Sequence, residues 1–493
     1  MNDIDILPVD KTIDSVINDA FVPVSDFVSG VIFYTVPLMG QAVPLILLWL
    51  VAAALFFTFY LGFINFRGFG HALALVSGKY DKDEEAREEG EISRFQALAT
   101  SLSGTVGLGN IAGVAIAVSV GGPGAVFWMV MMGLFGMSSK FAEVFLAVKY
   151  RVHADEDHPD KLSGGPMYYL RHAFREYGLA KVGVIVAAFF AICGIGGAIG
   201  GGNMFQANQA YQQLLNISGG LEGFWGDKGW LFGLLFAMSV GAVIIGGLKS
   251  IAKAASTIVP FMGILYVGMG LLVIAIHWQQ IPDALMEIIT LAFDSNSVYG
   301  GMLGALLMGV QRATFSNEAG LGSAAIVHSA VKTKEPASQG FVGMLGPFID
   351  TVVICLVTAL VIVISGSYLD SEGIEGVELT SRALETGVPG ARYLLALVVV
   401  LFAYSTLITW SYYGQKCLTY LFGENETVKI IYKLVFCLFI VIGASANLGA
   451  VIKFSDAMMF AMAIPNIIGL YLLAPEIRAD LKTYWSKVKN KAA

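Results

Sequence analysis

Two stretches of this sequence interrupt apolar runs in the same way. One reads Ser103-Gly-Thr-Val-Gly-Leu-Gly-Asn-Ile-Ala112, the other Ser316-Asn-Glu-Ala-Gly-Leu-Gly-Ser-Ala-Ala325, and laid over one another they agree at five of ten positions. Gly104, Thr105, Gly107, Gly109 and Asn110 make the first a poor helix; Ser316, Asn317, Glu318, Gly320 and Gly322 do the same to the second. Each glycine costs a helix interior about 1 kcal/mol relative to alanine. Unpaired backbone groups in hydrocarbon are costlier still, so irregular backbone at membrane depth is tolerated where it lines a cavity or binds something. Amides freed at a half-helix N-terminus suit a carboxylate, and carbonyls freed at a C-terminus suit a cation. An amino acid together with Na⁺ would use both. The alternative for the glycines is close helix packing, since Gly109 and Gly113 form a GxxxG pair.

Other polar groups stand out against the same apolar background. Glu318 lies in the second interruption, with Arg312 six residues before it, and Asp350 lies in Gly346-Pro-Phe-Ile-Asp-Thr351. Ionisable groups at this depth are expensive and mark either function or buried support. Lys140 and Glu143 are three apart, share a helix face and would pair. Asn203 and Gln206 also share a face and could reach a polar ligand. Ser405, Thr406 and Thr409 place hydroxyls at helical spacing, suited to a hard cation, although such groups also bond back to their own helix. Trp410 would be a cavity wall or an interface aromatic.

The elements that must position these residues are membrane spans. Of 493 residues, 56% are hydrophobic and only 14% charged, and the mean hydropathy is +0.71. That leaves too little polar sequence to cover a soluble protein of this size. The apolar runs are continuous and about 20 residues long, as a helical span requires and a transmembrane β-barrel does not. Eleven are long enough: 40–65, 96–119, 123–148, 182–213, 229–248, 254–278, 301–328, 340–366, 391–415, 428–446 and 450–473. Residues 1–39 read as an exposed acidic extracytoplasmic segment, 40–65 as an extra helix and 474–493 as a basic tail. The charged run Lys79–Glu91 must lie in water. With the first span running from outside to inside, 23 of the 30 basic residues fall inside and five outside. This asymmetry sets the N-terminus outside and the C-terminus in the cytoplasm. The two interruptions then open the first helix of two five-span units, 96–278 and 301–473, which enter the membrane from opposite sides. The fold expected is an all-α polytopic membrane protein whose core is two inverted five-helix repeats with broken first helices.

Several function classes have no support. A net charge of −7 offers no basic footprint for nucleic acid. The four cysteines show no CxxC spacing, so neither zinc site nor disulfide framework is implied, and the six histidines form no HExxH. No GxxxxGK[ST] phosphate loop exists to drive ATP-powered pumping. The acidic start, Met1-Asn2-Asp3, lacks the basic region of a cleavable signal. No obligate protein partner is evident. A channel could also use broken helices, but usually as repeated subunits around one axis.

At the level of motifs the chain resembles the alanine or glycine:cation symporter family, the sodium:alanine symporters, over roughly residues 40–475. The most specific stretch is Gly121-Gly-Pro-Gly-Ala-Val-Phe-Trp-Met129. It is joined by Gly107-Leu-Gly-Asn-Ile-Ala-Gly113, Gly164-Gly-Pro-Met-Tyr-Tyr169, Ser316-Asn-Glu-Ala-Gly-Leu-Gly322, Gly346-Pro-Phe-Ile-Asp-Thr351 and Trp410-Ser-Tyr-Tyr-Gly414. The resemblance implies a leucine-transporter-like fold in the bacterial inner membrane and inward transport of alanine or glycine coupled to Na⁺, or in some members H⁺. It implies substrate contacts from Thr105, Gly107, Gly109, Asn110, Phe315, Ser316, Asn317 and Glu318, with Gln206 and Trp410 walling the pocket. Sodium would lie between Ser405, Thr406 and Thr409 and the carbonyls near Ser103 and Val106, with Asp350 as a supporting charge. Leu108 stands where a smaller Thr or Val is expected, which bears on the size of substrate accepted.

Overall fold

The computed structural model describes residues 12–38, 41–79, 90–153, 162–295, 300–369 and 376–492. Most of the charged run Lys79–Glu91 and the first eleven residues of the acidic segment lie outside them. The described chain is helical apart from two short antiparallel hairpins, β1 (Thr35–Leu38) with β2 (Gln41–Pro44) and β3 (Val152–His153) with β4 (Leu162–Ser163). Among the described residues eight helices are long and apolar enough to cross a membrane, or nine if one bent pair counts as a span.

One of the eight is unexpected: α1 (Ile13–Ile32) lies in the segment that composition marks as an exposed lead-in. It rests on the helix Leu448–Leu472, with the Ser25 hydroxyl donating to the Ala450 carbonyl at 2.7 Å and Lys453 pairing with Asp26 at 2.8 Å. Acidic residues every few positions mask an apolar face that buries Phe21. The expected spans 40–65, 229–248 and 301–328 contain shorter helices, α2 (Leu45–Tyr60), Gly229–Ile244 and Gly301–Asn317. The first stops early because Gly62 and Phe63 turn into the left-handed region, φ +69° and +57°.

The bundle that carries the polar residues uses eight further pieces. They are α3 (Arg94–Thr105), α4 (Val114–Gly121), α5 (Gly124–Lys149), α6 (Pro166–Glu176), α7 (Ala180–Ile217), α8 (Gly301–Asn317), α9 (Ser323–His328) and α10 (Pro336–Ser365). The last two long helices of the site are α11 (Ala391–Phe422) and α12 (Leu448–Leu472). α3 and α4 meet at a bend of 53°. Three wide π turns, Gly109–Gly113, Gly200–Met204 and Phe348–Cys355, sit beside the breaks. A π turn inserts one residue into the helical ladder and often accompanies a functional site. Here each displaces backbone next to a buried polar group: Asn110, Gln206 and Asp350.

Candidate functional site

The first break starts from a well-formed helix. Ser93 and Gln96 make a reciprocal capping box that fixes the beginning of α3. Its other end fails at Gly104 and Thr105, and Val106 leaves helical geometry with ψ 81°. Two amides of the broken stretch are then satisfied by side chains, one from within it and one from α7. Gly107 N–H donates to Asn110 Oδ1 at 3.0 Å, and Leu108 N–H donates to Gln206 Oε1 at 3.0 Å. Gln206 is held in turn by its Nε2 donating to the Gly201 carbonyl at 2.8 Å. Gly107 must be glycine, because a Cβ there would sit 2.5 Å from Thr406 Oγ1 and 3.0 Å from Gln206 Oε1.

The second break is built on Glu318, a non-glycine residue in the left-handed region at φ +57°, followed by Gly320 and Gly322, also at positive φ. Holding such a residue there costs of order 1 kcal/mol or more, so its surroundings must over-determine it. They do. Lys140 on α5 donates to the Glu318 carbonyl at 2.9 Å, and Trp410 Nε1 donates to Glu318 Oε1 at 3.1 Å. The Ser323 hydroxyl donates to the other carboxylate oxygen. Asn466 on α12 donates to the Gly320 carbonyl and to Glu143 Oε1, both at 2.9 Å. Lys140 and Glu143 do pair, at 3.7 Å, but the shorter contact of the lysine is to the break.

The two breaks touch through shared partners. The Asp350 carboxylate on α10 accepts from Asn110 Nδ2 at 2.9 Å and from the Ser316 hydroxyl at 2.5 Å. Asn317 Nδ2 donates to Thr351 Oγ1 at 2.9 Å. Trp410 on α11 reaches both breaks, since the indole N–H also lies 3.2 Å from the Gly104 carbonyl. Phe315 packs edge-to-face on Phe205 with centroids 5.1 Å apart, beneath the Arg312 guanidinium at 5.3 Å. All of these side chains are buried.

A second cluster consists of oxygen. The Ser103 hydroxyl donates to the Ser405 carbonyl at 2.7 Å, Thr406 Oγ1 donates to the Ser103 carbonyl at 3.0 Å, and Thr409 Oγ1 donates to Ser103 Oγ at 3.0 Å. Residues some three hundred positions apart thus gather five oxygens from α3 and α11. One residue enters this cluster differently from the expectation. The Ser405 hydroxyl turns back to the Phe402 carbonyl at 3.0 Å, so this residue offers its carbonyl instead. The Val106 side chain lines an apolar cavity with Leu98, Leu102 and Val259, leaving only its backbone available.

Thr105 likewise bonds back along α3, at 3.4 Å to Ser101 and 3.5 Å to Leu102. Asn203 and Gln206 do not act together: Asn203 Nδ2 donates to the Phe436 carbonyl at 2.7 Å, away from the breaks. Lys140, Thr351 and Asn466 belong to the constellation, although sequence spacing gives the first only a structural pairing and singles out neither of the others. Nor does it single out Asp456, which lies within the run 450–473 and forms a buried pair with Arg312. A polar residue inside an apolar run is the available signal for Asn466 and Asp456.

At one end of the bundle the chain before α3 is strapped to the chain after α9. Glu91 N–H donates to the Ala330 carbonyl at 2.9 Å and Lys332 N–H to the Ile92 carbonyl at 3.0 Å, making a parallel bridge between Ile92 and Val331. Arg151 caps the same strand, donating to the carbonyls of Ser329 at 3.0 Å and of Val331 and Thr333 at 2.6 Å.

Comparison with known proteins bears on this geometry. The chain is 39% identical over 452 residues to the sodium/alanine symporter AgcS of Methanococcus maripaludis, covering 91% of this chain and 96% of that protein. It is 33% identical to the probable sodium/glutamine symporter GlnT of Bacillus subtilis, over 90% of this chain and 88% of that one. It is 32% identical to the putative sodium/proton-dependent alanine carrier protein YrbD of Bacillus subtilis, over 82% and 83% of the two chains. Among solved structures, MhsT in complex with L-phenylalanine superposes with a TM-score of 0.54 at 16% identity, covering 78% of this chain and 90% of that one. The fold is therefore leucine-transporter-like. The molecule is an integral membrane transporter and not an enzyme. The sodium:alanine symporter family matches residues 27–493, and the chain belongs to that family.

Proposed function

We propose that this transporter imports a small neutral amino acid, alanine or glycine, with Na⁺ by alternating access. The observation that carries the reading is the oxygen cluster joining Ser103 on the broken helix to Ser405, Thr406 and Thr409 on α11. A hard cation is held by hydroxyl and carbonyl oxygens, and broken helix ends supply them. The substrate sits between the two breaks, its carboxylate taken by the Gly109 amide and, once Asn110 and Gln206 release them, by those of Gly107 and Leu108, its ammonium by carbonyls and acceptors around Ser316, Asn317 and Glu318. Gln206, Phe315 and Trp410 close the pocket, and Asp350 ties Asn110 to Ser316.

The architecture we propose has eleven spans, with α1 packed on α12 and not among them, α2 being extra and 96–278 and 301–473 forming inverted repeats. The N-terminus is outside and the basic tail 474–493 cytoplasmic, as the 23-to-five division of basic residues supports. The strap between residues 91–92 and 330–332 then lies on the cytoplasmic side and closes that route. A proton-coupled version is favoured by two buried carboxylates at the breaks, Glu318 and Asp350. Uptake of labelled alanine by proteoliposomes under an imposed Na⁺ gradient, compared with an imposed pH gradient, separates the two. Glycine, serine and glutamine as competitors define the substrate. Uptake under the pH gradient alone would replace Na⁺ with H⁺, and trans-stimulated exchange distinguishes a carrier from a channel.

A further inference from the structure

We infer that the chain carries a binding site for the headgroup of an anionic phospholipid. A cavity of 630 Å³ opens beside the start of α7, lined by Lys149, Arg151, Arg171 and Arg175 together with Tyr168 and Val184. No carboxylate among the described residues lines it. Among the described residues, the carboxylates nearby are already engaged: Glu476 and Asp480 pair with Lys149, and Glu176 with His172 at 3.0 Å. Arg171 and Arg175 are exposed, lie four apart on α6 and so share one face. Planar guanidinium groups in this arrangement match phosphate oxygens in paired hydrogen bonds.

The wall on the other side says where the anion comes from. α7 begins with Ala180 in the cavity, and its outward residues are apolar and bare: Val184 is 48%, Ile185 69% and Ile192 57% exposed. α7 is among the helices apolar enough to cross a membrane. A soluble anion has no use for that surface, whereas acyl chains would lie along it with the headgroup in the basic cavity. Basic pockets at the membrane boundary bind anionic headgroups in this way.

The test is native mass spectrometry of the purified full chain with phosphatidylglycerol, phosphatidylcholine or glycerol phosphate added. The expected result is retention of one phosphatidylglycerol in preference to phosphatidylcholine. In Arg171→Gln/Arg175→Gln that binding weakens about 30-fold, the worth of two basic groups near a membrane surface. Lys replacements at both positions keep the charge but not the paired hydrogen bonds and should weaken binding less than Gln, and Lys249→Gln, on another helix, should leave it unchanged. Arg151 is left intact because it also holds the strap. Equal retention of both lipids, or undiminished phosphatidylglycerol binding in the Gln pair, would overturn the site. Displacement of the lipid by millimolar glycerol phosphate would overturn the lipid assignment in favour of a soluble anion.

Discussion

Replacing Thr406 with Ala removes one oxygen from the cluster and should weaken Na⁺ more than it alters substrate preference. Thr406 Oγ1 donates to the Ser103 carbonyl at 3.0 Å, and a Cβ on Gly107 would lie 2.5 Å from it, so the hydroxyl is packed against both the oxygen cluster and the break. Its loss leaves a buried carbonyl short of a partner in the ion-free state and the ion short of a ligand in the bound state. The ligand lost from the bound state outweighs the unpaired carbonyl of the ion-free state, which acts in the opposite direction, and leaves a net cost of about 1–3 kcal/mol. That corresponds to a roughly 5- to 150-fold rise in the Na⁺ concentration for half-maximal uptake. Linkage fixes a second consequence: at subsaturating Na⁺ the apparent affinity for alanine falls, and saturating Na⁺ restores it. Thr406→Ser keeps the oxygen and should remain close to wild type. The assay is labelled-alanine uptake in proteoliposomes across a series of Na⁺ gradients. An unchanged Na⁺ dependence in the Ala variant would refute the assignment of the ion to this cluster, as would equal damage by Ser and Ala.

Two further outcomes follow from the contacts around the breaks. Lys140→Met removes the donor on the Glu318 carbonyl and strips Glu143 of its counter-ion, which for a buried pair costs about 3–5 kcal/mol. The thermal midpoint in detergent should fall sharply and recover in part in Lys140→Met/Glu143→Gln; an unchanged midpoint would mean that the lysine does not hold the break. Ile92→Cys/Val331→Cys should cross-link on mild oxidation, stop uptake and regain it with dithiothreitol, because on the proposed orientation the strap between these two positions parts for release inward. Three of the four native cysteines are buried and the fourth half-buried, which limits competing reactions. Full uptake by the cross-linked protein would show that the strap is not a gate.

Composition and glycine spacing alone make both breaks legible. Poor helix formers in an apolar run have few physical outcomes, and the observed ends of α3 at Thr105 and α8 at Asn317 fall inside the expected stretches. The cross-chain partners are not legible, for two reasons. Which oxygen a residue offers depends on its rotamer, so Ser405 reads as a hydroxyl but contributes its carbonyl. Which charge meets which depends on helix packing. Lys140 and Glu143 can be paired from their spacing, but nothing local joins Arg312 to Asp456 across 144 positions. The helix Ile13–Ile32 escapes a residue-by-residue reading because its Asp residues look like exposed charge. Asp14 in fact accepts from the Gly229 and Trp230 amides at 3.0 and 3.3 Å, and Asp26 pairs with Lys453.

The wiring of the site also bears on how ion and substrate would be coupled. Ser103 and Gly104 stand on one side of the first break, Gly107 and Leu108 within it, and Asn110 on the far side. α11 bonds the first pair through Thr406, Thr409 and Trp410, while Gln206 and Asp350 bond the others. Trp410 adds Glu318 of the second break, and Asp350 adds Ser316. An ion drawn into the oxygen cluster would therefore order the same backbone whose amides, on the proposed reading, receive the substrate carboxylate when Asn110 and Gln206 yield them. The entropy of fixing that loop would be met once and shared by both ligands, which is a sufficient physical origin for positive coupling. A direct contact between ion and substrate is then unnecessary, and coupling would survive changes of substrate side chain, because the shared element is backbone.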